Sequence, residues 1–452
     1  MLPQAALKII YMVIISQIIF LLLVTFAVGL FVRNMKRLIR NVKLGKPNWP
    51  NDQPNERWRR VLLNALGQKK MFKRPVPAIL HFFVYAGFII INVEILEIII
   101  DGLFGTHRIF APIIGSLYAP FISFFEFLAW GVLIGCAIFL IRRNVVKVKR
   151  LNQVELNGWP RMDANTILIA EITLMVAFLT LNTADQVLQS RGHEHYFNTG
   201  RFFFTGFMMP ILNGLSTGQL VALERTCWWA HIIGVFAFLN YLYYSKHLHI
   251  LFAFPNTYYS RLDPQGKIRN MPEIQKEVQL MLDPSTASNE PPAEPGRFGA
   301  KDVFDLQTTD LLGAFSCTEC GRCTAVCPAN ITGKLLSPRK IMMDTRDRCE
   351  EIGRGQDKQG KDYKDEKSLL GDYITHEEIF ACTTCQACVE ACPVNIDPLN
   401  IIQQLRRYSI MEEGNAPGNW NTMFTSIENN QAPWQFSPGD RANWAEELKN
   451  EN

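Results

Sequence analysis

Two cysteine runs with identical spacing lie in the C-terminal half of this 452-residue chain. Each run has the form Cys-x-x-Cys-x-x-Cys-x-x-x-Cys-Pro. The eight cysteines are Cys317, Cys320, Cys323, Cys327, Cys382, Cys385, Cys388 and Cys392. Zinc sites use two Cys-x-x-Cys pairs and give no reason for the third cysteine and the proline. Disulfides would require an oxidising compartment. The pattern therefore predicts two thiolate-bound iron–sulfur clusters.

The spacing resembles that of bacterial ferredoxins, which bind two [4Fe–4S] clusters. In that pattern three cysteines of one run bind one cluster, and the fourth crosses over to the other cluster. The predicted ligands of the first cluster are Cys317, Cys320, Cys323 and Cys392, and those of the second are Cys382, Cys385, Cys388 and Cys327. Of the other cysteines, we expect Cys349 to be a free thiol and Cys136 and Cys227 to be packing residues.

The composition separates the chain into two parts. Residues 1–255 contain long apolar runs, whereas residues 256–452 are polar and charged. The net charge of +4 is small and indicates no nucleic-acid partner. Basic residues instead cluster beside apolar segments, as they do in membrane proteins.

Five membrane-spanning helices are predicted from the apolar runs. They lie at about 9–32, 76–100, 118–141, 165–188 and 227–249. The first is followed by basic residues, so we interpret it as an uncleaved anchor with its N-terminus outside. Loops 33–75 and 142–163 are rich in Lys and Arg and are expected to be cytoplasmic, unlike loops 101–117 and 189–226.

A further apolar segment at 202–223 contains Pro210 and several glycines and amides. A sixth span here would place the clusters outside the cell, although such clusters are normally assembled inside. We therefore interpret 202–223 as an interfacial or re-entrant segment.

Several ionisable residues lie inside the predicted spans, where they are costly and usually functional. They are His81, Glu94, Glu97, Glu126, Glu171, Asp185 and His231. Glu94 and Glu97 share a helix face and, with His231, are candidates for a quinone and proton site. The alternative is that both glutamates lie at the water interface.

Histidines at matched depth suggest a haem. His81 begins the second span, and His247 and His249 end the fifth, so all three should lie near the cytoplasmic face. Two neutral imidazoles on two helices can bind haem iron. His247 is expected to point to a different side of the helix from His249. His231 precedes His249 by about 27 Å along a helix. It is expected either to bind a second haem or to be a structural histidine.

Residues 1–255 resemble the cytochrome b (gamma) subunit of respiratory nitrate reductase and the membrane subunit of heterodisulfide reductase. The resemblance implies five spans, with haem histidines on the second and fifth. The stretch from His231 through Lys246-His247-Leu248-His249 to Pro255 carries it and favours His249 over His247. The nitrate reductase subunit has two histidines on its second span, where this chain has only His81.

Between the cysteine runs, short helices are predicted at Ser337–Asp347 and Ile374–Ala381, with a charged loop at Cys349–Lys367. This wide helical spacing resembles the dicluster domains of heterodisulfide reductase and of succinate dehydrogenase iron–sulfur subunits. The stretch from Ile427 to Trp444 resembles the segment after the clusters in heterodisulfide-reductase-like membrane proteins. The longest of those continue into a catalytic domain with Cys-Cys-Gly motifs, whereas this sequence contains no Cys-Cys pair.

The predicted fold class is all-α, with a five-helix transmembrane cytochrome b bundle followed by a helical dicluster ferredoxin domain. The predicted divisions are the bundle (1–255), a flexible linker (256–300), the cluster domain (301–412) and a tail (413–452). The expected location is a bacterial or archaeal cytoplasmic membrane, with the clusters on the cytoplasmic side.

The predicted function is electron transfer between a cytoplasmic redox partner, the two [4Fe–4S] clusters, a b haem and the membrane quinone. Candidate partners are a Cys-Cys-Gly heterodisulfide-reductase-like subunit, a flavoprotein or a dehydrogenase. The alternative is an iron–sulfur redox sensor or assembly scaffold without haem. No pattern supplies a catalytic base, so an enzyme acting alone is the weakest interpretation.

Overall fold

A computed structural model describes residues 4–286, 297–435, 437–440 and 442–450. All regular structure in these ranges is helical, and β-pairing is limited to two isolated bridges. The predicted all-α class is confirmed. Residues 287–296 of the predicted linker and Arg441 of the predicted tail lie outside the described residues.

The N-terminal part is a bundle of long apolar helices. Its α-helices are α1 (Gln4–Val42), α2 (Pro54–Arg60), α3 (Pro75–Phe104), α4 (Ala111–Ile114), α5 (Tyr118–Asn144), α6 (Trp159–Ser190), α7 (Phe203–Leu212), α8 (Thr217–Tyr241) and α9 (His249–Tyr258). Five segments of the described chain are long and apolar enough to cross a membrane: Val13–Val42, Pro75–Phe104, Ala111–Asn144, Trp159–Ser190 and Thr217–Tyr244. The number of spans agrees with the prediction.

Helix α6 is central and packs against α5, α7 and α8. The shared core of α3, α5 and α6 contains Ile91, Phe125 and Phe178. Helix α3 approaches α5 closely at Gly87, where a Cβ atom would lie 2.5 Å from a methyl group of Val132. Small residues at such crossings allow helix backbones to pack tightly within a bilayer.

The fifth span differs from its predicted bounds. It begins at Thr217, where Ser216 and Gln219 form a capping box, and α8 ends at Tyr241. Two 3₁₀ turns and the separate helix α9 follow. The predicted 202–223 segment is therefore divided between the short helix α7 and the first turns of α8. His231 lies near the middle of α8 and not at its outer end, so the distance of 27 Å along one helix was wrong.

The C-terminal part consists of shorter helices. They are α10 (Pro272–Leu282), α11 (Thr308–Ser316), α12 (Pro328–Ile331), α13 (Pro338–Gln359), α14 (His376–Phe380), α15 (Ala387–Ala391), α16 (Pro398–Met411), α17 (Gly418–Asn430) and α18 (Asn443–Asn450). Helix α13 continues through Cys349–Gln359, so the loop predicted there was wrong over that part. Helix α13 buries four residues at helical spacing, Ile341, Thr345, Cys349 and Ile352. This buried face stabilises the helix although the segment carries many charged residues.

The two parts share one hydrophobic core. Leu38 of α1 and Phe252 of α9 belong to the same buried cluster as Leu311 and Phe315 of α11. A backbone bridge between Lys46 and Gln307 adds to this contact. The cysteine-bearing region is therefore held against the loops that follow α1, α5 and α8.

Candidate iron–sulfur and histidine sites

Four cysteines from both runs line one pocket that opens to solvent. They are Cys327, Cys382, Cys385 and Cys388. Cys327 is the last cysteine of the first run and immediately precedes α12. Apolar side chains of Leu336, Leu399 and Ile402 complete the wall. The structure thus brings together the four residues predicted to bind the second cluster, with the crossover that the spacing implies.

The other four cysteines form a second group. The pKa of the Cys317 thiol is raised to about 12, mainly by burial and in smaller part by the nearby Cys320 and Cys392 thiols. Burial also raises the pKa of Cys392 to about 11, with a contribution from Cys320. Cys323 interacts with the same three thiols. These thiols must lose their protons to bind a metal, so cluster binding and deprotonation would be coupled.

The first loops of the two runs have matching backbone conformations. Glu319 and Thr384 occupy the same place in their runs and have left-handed φ values of 55° and 56°. The N–H of Glu319 donates to Cys317 Sγ at 3.4 Å, and the N–H of Thr384 donates to Cys382 Sγ at 3.4 Å. Such N–H donors to thiolate sulfur orient the ligand and tune a cluster.

The thiols do not form a site for one ion. In the described ranges, no group of three or more His, Cys, Asp and Glu side chains is arranged to hold a single metal ion. Each thiolate of a cubane binds a different iron, so its ligands are spread more widely than those of zinc. The eight-cysteine ligand assignment stays a prediction.

The two thiol groups have different surroundings. Arg150, from the loop between α5 and α6, donates to the carbonyl of Cys320 at 2.6 Å. Arg322 and Lys70 also lie close enough to interact electrostatically with Cys392. At the other group, Arg406 interacts with Cys382 and donates to its carbonyl. Cys385 is exposed to solvent, whereas Cys317 is buried.

His81 and His249 lie opposite each other, with ring centres 6.4 Å apart. His81 Nδ1 is 3.1 Å from Gln68 Oε1, and His249 Nδ1 is 3.1 Å from the carbonyl oxygen of Lys246. These contacts leave Nε2 of each ring as the nitrogen available to a metal. Metal–nitrogen bonds of about 2 Å on each side would place two axial imidazole centres roughly 6 Å apart. The spacing of the two ring centres therefore agrees with two imidazoles on one iron, and haem binding by this pair stays a prediction.

The other two candidate histidines are buried. The ring centre of His247 is 5.5 Å from that of His249, so the expectation that the two point to different sides of one helix was wrong. His247 Nε2 is 4.0 Å from Glu171 Oε1 and has no hydrogen-bond partner. His231 Nδ1 is 3.0 Å from the carbonyl oxygen of Leu174, and its Nε2 is buried without a partner.

A buried polar network ties α3, α5 and α6 together around Arg108. Its guanidinium donates to Glu94, Asp185 and Asn182 at 3.0, 3.0 and 2.6 Å. Glu94 and Glu97 are only 1% and 2% exposed, so the alternative of carboxylates at the water interface is wrong for both. One oxygen of Glu94, Oε2, has no partner.

Two further intramembrane carboxylates satisfy backbone and hydroxyl donors. Glu97 accepts hydrogen bonds from Tyr118 Oη at 2.7 Å and from the N–H of Phe110 at 2.8 Å. Glu126 accepts from the hydroxyl of Thr205 at 2.6 Å. Among the described residues, no hydrogen bond or ion pair joins His231 to Glu94 or Glu97, so the three do not form one polar network.

Several residues that hold these sites were missed from the sequence. Glu319 stands between two cysteines and pairs with Lys246, while Gln68 lies beside His81. The position of Glu319 inside a Cys-x-x-Cys loop could have indicated a role. No local signal predicts that Glu319 pairs with Lys246, which lies 73 residues earlier in a short helical turn.

Cys349 is fully buried on α13, and burial raises the pKa of its thiol well above the ordinary range. Its electrostatic neighbours are charged residues such as Asp302 and Arg348, not cysteines, and its role as a free thiol stays a prediction.

Residues 316–396 match the 4Fe-4S dicluster domain family. Together with the paired cysteine groups, this match defines the class of protein as an iron–sulfur oxidoreductase-like chain that carries a dicluster domain and helices suited to a membrane. No solved structure matches the chain.

Three curated relatives make the class more specific. The chain is 28% identical to the probable iron-sulfur-binding oxidoreductase FadF of Bacillus subtilis, over 96% of this chain and 61% of that protein. It is 25% identical to the EtfAB:quinone oxidoreductase of Syntrophomonas wolfei, over 88% and 55% respectively. It is 31% identical to one polypeptide of a CoB-CoM heterodisulfide reductase of Methanosarcina acetivorans, over 25% and 56%. The chain thus spans roughly three fifths of the first two proteins.

Proposed function

We propose that this chain is a membrane-bound electron-transfer unit that links a soluble redox partner to the membrane quinone. The observation that carries the proposal is that one side of the bundle holds both cysteine groups and the His81–His249 pair. The resident groups would be two [4Fe–4S] clusters and one b haem, which supply one-electron chemistry when bound. The protein fixes their order, their potentials and their access to water.

The order of transfer follows from exposure. The group of Cys327, Cys382, Cys385 and Cys388 reaches solvent at Cys385, so a soluble partner would exchange electrons there. The group that includes Cys317 and Cys392 faces Arg150 and Lys70, which belong to loops of the bundle. It would therefore serve the transfer towards the membrane.

His81 and His249 would hold the haem through Nε2. The Nδ1 contacts to Gln68 and to the carbonyl of Lys246 fix the orientation of the rings and raise the basicity of the ligating nitrogen. His247 packs beside this pair, and His231 is separate from it. A second haem at His231 remains outside the proposal, because no second histidine faces it among the described residues.

The quinone site is proposed at the buried carboxyl groups. Glu94 Oε2 has no partner and could accept or donate the proton that accompanies quinone chemistry. Its other oxygen accepts from Arg108 at 3.0 Å, which holds the carboxyl in place. His231 is not included in this proposed quinone site.

The partner is proposed to be a flavoprotein or a Cys-Cys-Gly protein of the heterodisulfide reductase type. The names of the relatives include EtfAB and a heterodisulfide reductase, and these support both choices. The cluster side of the bundle carries the basic loops 33–75 and 142–163, which favours the cytoplasmic side. The proposed domain divisions remain 1–255, 256–300, 301–412 and 413–452.

Substitution of the paired histidines tests this proposal. His81→Ala and His249→Ala should each abolish the same low-spin b-haem signal, because each removes one axial ligand. The [4Fe–4S] signals should remain. His376→Ala is the matched control, since this half-buried histidine on α14 pairs with Glu413 and belongs to neither proposed site. Reduced-minus-oxidised optical spectra and EPR would record both signals.

If anaerobically purified wild-type protein contains [4Fe–4S] clusters and no b haem, the quinone-linked proposal fails. The iron–sulfur sensor or assembly scaffold then becomes the better interpretation. Loss of the haem signal in the His376→Ala control would instead show that histidine substitutions unfold the protein.

A further inference from the structure

Lys246 touches both proposed redox sites. Its carbonyl oxygen accepts the 3.1 Å contact from His249 Nδ1. Its ammonium group pairs with Glu319, which lies between Cys317 and Cys320. The side chains of this pair are only 8% and 2% exposed. Lys246 therefore connects the turn before His249, a candidate haem ligand, with the loop that carries Cys317 and Cys320.

Both ends of this connection are fixed. The N–H of Lys246 donates to Asp163 Oδ2 at 3.0 Å, and its ammonium also donates to the carbonyl of Pro160 at 2.6 Å. At the other end, the N–H of Glu319 donates to Cys317 Sγ, and Arg346 pairs with the Glu319 carboxylate at 2.9 Å. A shift of the cysteine loop would therefore be transmitted to the turn that precedes His249.

The internal repeat supplies a comparison. Thr384 occupies the position of Glu319 in the second run, with the same left-handed backbone and the same N–H contact to cysteine sulfur. Its hydroxyl donates only to the neighbouring carbonyl of Thr383. The loop geometry therefore does not require a carboxylate at this position. The second run reaches the bundle elsewhere, through the pairing of Glu390 with Lys73. At the position of Glu319, among the described residues, only the first run has such a contact, because Glu319 pairs with Lys246 and Thr384 with no residue of the bundle.

We propose that the buried Lys246–Glu319 pair is a positioning element that couples the Cys317-run cluster to His249 and sets the potential of that cluster. The inference rests on the proposed function for its haem half and on the dicluster domain for its cluster half. Electron transfer at the cluster makes and breaks no bond. A nearby positive charge favours the reduced, more negative cluster, and a nearby negative charge disfavours it.

The two charges give opposite predictions. Lys246→Met should make the Cys317-run cluster harder to reduce, and Glu319→Gln should make it easier. We expect about a tenfold change in the ratio of reduced to oxidised cluster at a fixed potential, which is about 59 mV for a one-electron couple. Lys246→Arg should stay close to wild type, and the double variant Lys246→Met/Glu319→Gln should fall between the single variants.

EPR-monitored redox titration of the full-length protein would measure both clusters. The Cys382-run cluster should not move in any of these variants, and the low-spin haem signal should change in both single variants because the Lys246–His249 turn loses an anchor. Lys367→Met is the control, since it removes a lysine charge from an exposed pair with Glu351. Arg346 still pairs with Glu319 in Lys246→Met, so the carboxylate is not left unpaired.

Shifts of the Cys317-run cluster in the same direction in both single variants would overturn the proposal, because they would indicate a structural disturbance alone. Unchanged potentials would overturn it as well. If wild type has no haem signal, the proposed function fails, while the opposite potential shifts still decide the cluster half of the inference.

Discussion

At the scale of single residues, the crossover of the fourth cysteine determines how the two runs work together. Cys327 and Cys392 are each followed directly by a proline. The structure places Cys327 at the pocket of the second run and Cys392 beside Cys317. With the predicted ligand assignment, each run would need one cysteine of the other run to complete its cluster, and the two sites would assemble as one unit.

Serine substitutions of the crossing cysteines give the first prediction at this scale. Cys392→Ser should alter the EPR signal of the first-run cluster, and Cys327→Ser should alter that of the second-run cluster, because serine oxygen replaces a thiolate ligand. Iron and acid-labile sulfide should fall from about eight atoms each in wild type. Cys349→Ser is the control and should leave both signals unchanged. A Cys392→Ser variant that alters only the second-run signal would contradict the crossover.

At the scale of elements, a short loop locks the ends of three long helices. Arg108 has a left-handed backbone, with φ of 54°, and its side chain turns back into the bundle. There it pairs with Glu94 of α3 and Asp185 of α6, and it is 6% exposed. The carboxylates would be costly in a bilayer without this partner. The loop thus stabilises the helices that carry the proposed quinone site.

Arg108→Leu tests this element. The substitution removes one partner of buried ion pairs, so we expect a loss of about 3–5 kcal/mol of stability. Arg201→Leu is the matched control, because Arg201 lies exposed in a loop near the same end of the bundle, and its loss should be close to zero. Unfolding of both variants in the same detergent would be compared. Equal stability of the two would show that the network contributes little.

Long apolar elements could be predicted from the sequence, and their ends could not. Hydropathy located the five spans because a bilayer demands some twenty apolar residues in each. Hydropathy placed the end of the fifth span at His249, because the sequence remains apolar through α9. In the structure, α9 packs on α11 instead of continuing the span. The break after Tyr241 depends on tertiary contacts such as the hydrogen bond from Lys246 N–H to Asp163.

The candidate sites show the same division. Cysteine spacing is a local pattern and predicted both ligand groups, and histidine depth predicted the His81–His249 pair. The charged stretch after Cys349 suggested a loop, because its buried face is visible only once α13 packs on the cluster region. Lys246–Glu319, Gln68 and Arg150 depend on contacts between distant segments, so no sequence pattern could identify them.

At the scale of the whole molecule, one shared hydrophobic core holds the helix bundle and the cysteine-bearing region together. Helix α9 begins at His249 and packs on α11, which ends directly before the first cysteine. The proposed haem ligand and the proposed cluster ligand thus begin and end two helices in direct contact. If the proposed function holds, the contact between α9 and α11 would fix the separation of the two sites without depending on the linker that includes residues 287–296.

The most direct test of the account is oxidation of the reduced protein by a quinone. Full-length protein in detergent would be reduced with dithionite under anaerobic conditions, freed of excess reductant, and mixed with a water-soluble quinone analogue. The account predicts that the [4Fe–4S] EPR signals and the reduced b-haem absorption are lost together, and that His249→Ala blocks the oxidation of the clusters. Clusters that stay reduced while the quinone is present in excess, in a wild-type protein that contains haem, would contradict it.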